Sequence, residues 1–311
     1  MPFSKTRTRI TRITRTLAAV ASVVALTFIL LPAQAAAGLN IVATTSTLGA
    51  LAREIGGDEA EVRVLAPPDR DAHYLDARPS FMAALRRADL LLEIGAGLEE
   101  GWLPAAQRGA NNRAINSGQP GHFRAADKIE LRRSITMDGP NMGHVHEEGN
   151  PHFNADPLRM AEIGIALAER MGELRPDHAE AFMERAEAAA ERLREHAETL
   201  AEQVEPDQRI VVYHEDLDYL EEWLPVEIVG YLEPAPGIPP TARHLRSLVD
   251  ELEGTEGTVL HAIFHPERGA EFLERHLGWP THAVPLDPPA DASLDGYLEL
   301  MSTWAEALPQ R

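Results

Sequence analysis

Residues 39–67 read LNIVATTSTLGALAREIGGDEAEVRVLAP. The opening LNIVATTS is an apolar, β-branched run that reads as a buried strand. TLGALAREIGG then carries apolar residues at helical spacing and stops at Gly56-Gly57. EVRVLAP returns to strand chemistry. Strand, helix and strand in so short a span is a βαβ unit, which places its two strands parallel in one sheet.

The same rhythm continues outward. SFMAALRRAD reads as a helix with Ser80 as N-cap, LLLEIGAG as a third strand and LEEGWLPAAQRGA as a helix. Residues 111–150, rich in Asn, Gly and Pro, interrupt it and hold at most short strands around Ile115 and Ile129. A helix follows from Asp156, and another begins after Pro176. In that second helix Phe182, Ala186, Ala189, Leu193, Leu200 and Val204 form one apolar stripe. From Pro176 to Val204 such a helix is about 43 Å long at 1.5 Å per residue, enough to run along two lobes. The alternation then resumes through RIVVYHE, VEIVGYLE, TVLHAIFH and THAVPLDP, each followed by a helical stretch. The expected fold is α/β, with two lobes that each hold a parallel sheet flanked by helices and a long, rigid connector helix between them. The divisions are 36–175, 176–205 and 206–311, after a leader at 1–35. Ligands of such sheets bind at the carboxyl ends of the strands, here in the cleft between lobes.

The leader has five basic side chains (Lys5, Arg7, Arg9, Arg12, Arg15), no acid, an apolar run and small residues at Ala33 and Ala35. That is the layout of a secretory signal cut near Ala35/Ala36, with an apolar run short of the roughly 20 residues of a membrane span. Its removal takes the net charge from −20 to −25. Such a balance repels nucleic acid and anionic membranes and is compatible with a cationic ligand. There is no cysteine, which excludes disulfides, thiolate metal sites and a lipid-anchor cysteine. The expectation is a free periplasmic monomer with no nucleic-acid partner.

Four side chains are candidates: His73, His214 and Asp287 follow strand ends, and His152 sits in the loop before the Asp156 helix, two from each half. Three nitrogens and an oxygen suit tetrahedral zinc, with the carboxylate leaving room for other divalent ions. His265, after TVLHAIF, is a fifth candidate by the same rule. Each signal alone is weak, because a strand-end histidine is more often a hydrogen-bonded loop residue and no H-E-x-x-H spacing occurs.

Longer elements add a resemblance. RDAHYLDARPS, NPHFNADP, VVYHEDLDYL and the C-terminal LDP resemble, in order, ligand elements of the metal-binding receptors of cluster A-I ABC importers. LLLEIGAGLEEGWLPAA and EPAPGIPPTARHLRSLV match two further stretches of that family. The resemblance implies a periplasmic receptor that binds Zn2+ as its cargo through His73, His152, His214 and Asp287. It also implies partners: an inner-membrane ABC permease with its ATPase, and a periplasmic zinc chaperone. The third ligand is His in zinc receptors and often Glu in manganese receptors; His214 points to zinc, and a manganese receptor is the alternative. Asp76, Asn154-Ala155 and His265 depart from the family pattern.

GHVHEEG at 143–149 looks like a short form of the His/Asp/Glu-rich loop of zinc members, with His144 and His146 as accessory metal ligands. A zinc hydrolase is the rival from another class, with Glu215 or Asp216 as base. Four protein ligands would close its shell, and no G-x-S-x-G nucleophile occurs. A sugar or amino-acid receptor would call for an aromatic cleft, and only 5% of the chain is aromatic.

Overall fold

The structure, a computed structural model, describes residues 38–133 and 147–311. The leader and the loop histidines His144 and His146 lie outside the described residues. The first sheet is built from β1 (Leu39–Ala43), α1 (Ser46–Gly56), β2 (Ala60–Val64), α2 (Pro79–Leu85), β3 (Leu90–Glu93), α3 (Leu103–Ala110) and β4 (His122–Arg124). Its strands are all parallel, in the order β2-β1-β3-β4. Central β1 and β3 are buried almost throughout, whereas edge strand β2 is half exposed. That is the pattern of a parallel sheet covered on both faces. Helix α1 lies so close to β2 that a Cβ on Gly49 would sit 2.5 Å from Val64.

Two local expectations differ from the structure. The fourth strand lies at His122–Arg124, not around Ile115 or Ile129, each of which adjoins a short 3-10 turn. Only Phe123 of that strand is buried, so no two-residue alternation exists to be read. Helix α2 begins at Pro79, with Arg78 as N-cap in place of Ser80, because proline's fixed φ suits the first helical position.

Helix α4 (Pro157–Leu174) is capped by Asp156, whose Oδ1 accepts the N–H groups of Leu158 and Arg159. A 3-10 turn at Pro176–His178 leads into α5 (Ala179–Gln203), a helix of 25 residues. The second sheet follows: β5 (Gln208–Val212), β6 (Val226–Tyr231), α6 (Ala242–Leu252), β7 (Thr258–Ala262), α7 (Arg268–Leu277), β8 (Thr281–Val284) and α8 (Leu294–Glu306). It is parallel in the order β6-β5-β7-β8, the same winding as the first. In each sheet the chain leaves the centre for one edge and returns to the other side. The switch points therefore lie beside the carboxyl ends of β1 and β5. No helix among the described residues is long and apolar enough to cross a membrane.

The apolar stripe of α5 holds the two sheets together. Phe182, Ala186, Ala189, Leu193 and Leu200 are buried in one cluster that also contains Leu39 and Ile41 of β1, Ile210 and Val212 of β5, and Trp304 of α8. Each sheet has a second, separate cluster on its other face, around Trp102 and around Trp279. Because the central cluster is shared, the two halves should unfold together. Leu193→Ala is expected to lower stability by about 2–5 kcal/mol while urea unfolding stays a single transition by both fluorescence and circular dichroism. Two separated transitions would contradict the shared core.

Candidate metal site

His73 lies in a 3-10 turn, Ala72–Tyr74, that follows β2. Asp71 caps the turn: its Oδ1 accepts the His73 backbone N–H at 2.9 Å and stands 2.7 Å from His73 Nδ1. Trp102 Nε1 donates to Ala72 O at 2.8 Å and pins the turn from below. A carboxylate can only accept, so Nδ1 carries a proton in this pair. Burial opposes ionisation of Asp71, but the bond and charge of His73 outweigh it and hold the carboxyl below its usual range.

His214 follows β5 and caps the 3-10 helix Glu215–Glu222. An α-helix was the expectation there; over eight residues the three-residue and 3.6-residue periods look alike in sequence. Its Nδ1 faces Glu233 Oε2 at 3.2 Å, a second imidazole–carboxylate pair. Burial disfavours charge on His214, yet the Glu233 bond and the nearby Asp216 and Glu215 prevail and push it up to about 9.

His152 is buried, and its backbone N–H donates to Asn150 Oδ1 at 2.8 Å. Asn150 Nδ2 in turn donates to Glu215 O at 2.8 Å, and Tyr219 Oη donates to Asn150 O at 2.7 Å. One buried amide thus joins the peptide before His152 to the peptide after His214.

These three segments bring His73, His152 and His214 together, with one nitrogen of each inside a group whose members all lie within 4.8 Å of one another. Their ring centroids are 5.0, 5.2 and 6.0 Å apart. Asp287 and His265 line the same cavity outside that group. The Asp287 carboxyl is pushed up to about 6 by burial, against the opposing donors of Thr47 and Ser46. His265 Nδ1 accepts the Ala262 N–H at 3.2 Å and its ring stacks on Tyr213, so its protonated Nε2 is a poor ligand. Burial and the neighbouring His214 depress its pKa to about 3. The cavity measures about 50 Å³: room for an ion and a water or two, and far below the roughly 300 Å³ of a small-molecule pocket.

Asp71, Glu233 and Asn150 are site residues that strand-end counting missed. Asp71 is legible from its place two residues before His73, while Glu233 and Asn150 act across distances that no local pattern reports. Asp216 was weighed only as a hydrolytic base. It is buried, and neither carboxylate oxygen has a hydrogen-bond partner. Burial above all, with Asp218, Asp71 and Glu233, outweighs His214 and pushes it up to about 8.

Residues 41–311 match the family described as zinc-uptake complex component A, periplasmic (ZnuA). The chain belongs to this family. It is similar to the high-affinity zinc uptake system protein ZnuA of Yersinia pestis, 23% identical over 70% of this chain and 72% of the relative. It is also similar to the manganese-binding lipoprotein MntA of Halalkalibacterium halodurans, 26% identical over 60% of this chain and 49% of the relative. Among solved structures, a crystal structure of ZnuA superposes with a TM-score of 0.68 at 20% identity, over 86% of this chain and 98% of the other. FpvC of Pseudomonas aeruginosa in complex with Mn2+ gives 0.68 at 23% identity, over 87% and 98%. The protein is therefore a metal-binding receptor of the periplasmic component class of ABC importers. Members are transport receptors, which removes the hydrolase reading.

The titrating groups give a sign for pH dependence. His214 (about 9), Asp216 (about 8), Asp218 and Glu99 (about 7) and Asp287 (about 6) all have folded values above their ordinary ones. Between pH 6 and 9 the folded protein thus binds more protons than the unfolded chain, and stability falls as pH rises. The chelator-treated protein should melt at progressively lower temperature from pH 6 to pH 9. A flat or rising series would contradict these environments.

Proposed function

We propose that the protein captures Zn2+ through His73, His152, His214 and Asp287 and delivers it to an ABC permease and its ATPase for zinc uptake. The observation that carries this reading is the convergence of three imidazole nitrogens within 4.8 Å, two of them on rings held by carboxylates at Nδ1. Three nitrogens with one carboxylate oxygen make a tetrahedral set, and nitrogen-rich sites favour zinc over manganese. Asp287 supplies the fourth ligand, since its carboxylate lines the cavity and His265 is committed elsewhere. The receptor works in the periplasm as a monomer after removal of residues 1–35, and accepts zinc from a periplasmic chaperone.

Elemental analysis of protein purified without chelator should give one zinc per chain. His73→Ala, His152→Ala and His214→Ala should each weaken zinc binding by orders of magnitude in a chelator competition. Any of these that bound like the parent would lose its assignment as a ligand. At free zinc near a thousandfold above the dissociation constant, binding should add about 4 kcal/mol to stability.

His144 and His146 supply a weak landing site for zinc, distinct from the tight one. Glu148 is engaged by Arg124 at 2.7 Å, so the histidines themselves are the residues to remove. His144→Ala with His146→Ala should lose a weak second zinc in an equilibrium titration, keep the first, and slow zinc transfer from a donor protein. Unchanged titration and transfer would make the loop a mere connection.

A further inference from the structure

The N-terminus of α1 is capped from the other lobe. Its own N-cap residue, Thr45, makes no side-chain capping bond, and the buried hydroxyls of Thr45 and Ser46 have no hydrogen-bond partner. Asp287 takes over that role: its Oδ1 accepts the Thr47 backbone N–H at 2.9 Å and the Thr47 hydroxyl at 2.7 Å. The Ser46 N–H, from the same helix end, also lowers the carboxyl. A carboxylate has about two acceptor positions on each oxygen. The two donors of Thr47 fill both positions on Oδ1, whichever oxygen Ser46 addresses. The positive end of the helix dipole adds to the hold.

We propose that Thr47 sets the denticity of Asp287, offering only Oδ2 to the ion, and is thereby a residue that determines metal specificity. This rests on the reading of Asp287 as the fourth ligand. With Oδ1 withheld, the shell is three nitrogens and one oxygen, which matches four-coordinate zinc. An ion that seeks more oxygen ligands, such as Mn2+, would need both carboxylate oxygens and would have to break the Thr47 bonds to obtain them. Thr47 touches no metal in this account. It is a positioning residue acting through Asp287.

The test compares Zn2+ and Mn2+ binding by chelator competition, with manganese followed in parallel by electron paramagnetic resonance. Thr47→Val removes the hydroxyl and keeps the amide; Thr47→Ser keeps both donors. In Thr47→Val the ratio of zinc to manganese affinity should fall by about tenfold or more, the usual scale for losing a partner of a metal ligand. Thr47→Ser should restore the parental ratio. Should the valine variant fail to fold, as judged by its metal-free melt, Thr47→Ala makes the same deletion without a β-branch. A ratio unchanged by loss of the hydroxyl, or equal weakening of both ions, would overturn the proposal. Asp287→Ala separates this from the underlying reading. If that variant binds zinc like the parent, the fourth-ligand assignment itself fails. If it weakens zinc while Thr47→Val leaves the ratio untouched, only the role of Thr47 fails.

Discussion

Ligands that drift relative to one another cannot hold a small ion tightly, and the segment carrying His152 is where this structure meets that constraint. By sequence the segment precedes α4 and belongs with the first half of the chain. By hydrogen bonding it belongs with the second. Asn150 donates to Glu215 O, Asn154 donates to Leu286 O at 2.8 Å, Tyr297 Oη donates to Asn154 O at 2.7 Å, and Trp223 Nε1 donates to Ala155 O at 2.8 Å. Most of these groups are buried, where a lost partner costs about 1–3 kcal/mol each. His152 is therefore fixed to His214 and to the Asp287 segment as one body, and His73 is the imidazole that meets them from the first sheet.

The same bonds limit how the receptor can open. Arg53 of α1 reaches the carbonyls of Ala290 and Ala292 at 2.7 and 2.9 Å, and Arg132 pairs with Glu221 and Glu222. Beneath them lies the apolar cluster that α5 shares with both sheets. Parting the lobes widely would break these ties and bring core surface into water at roughly 25 cal/mol per Å². Small shear or a local movement around His73 avoids both costs. The turn that carries His73 fits this, since its ties to Asp71 and Trp102 lie within its own lobe.

Much of this was legible in the sequence because it is local. Strands and helices alternate with clear periods, and a ligand just past a strand end follows from the winding of a parallel sheet. The α5 stripe was readable for the same reason, since Phe182, Ala186, Ala189 and Leu193 repeat at helical spacing. What escaped has two physical causes. Strand β4 is three residues long with one buried side chain, too short to show a period. The partners of the candidate ligands, Glu233 for His214 and Thr47 for Asp287, are joined only by tertiary structure; Thr47 and Asp287 are separated by 240 positions. Resemblance to known receptors supplied the candidate ligand set, but not the groups that hold those side chains in place.

Acids crowd the surroundings of this cavity, and electrostatics sets what they cost. Asp71, Asp216, Glu233 and Asp287 stand around three imidazoles, and unpaired buried carboxylates are costly. The protein limits that cost with protons and hydrogen bonds. Beside Glu233 the His214 imidazole is pushed up to about 9, and burial pushes the Asp216 carboxyl up to about 8. Asp71 and Asp287 are stabilised by donors, His73 for one and the end of α1 for the other. With His214 as a ligand, as proposed above, a divalent cation reaching its nitrogen would displace the proton there, and its charge would draw the proton from Asp216 as well. On that reading, capture exchanges protons for metal.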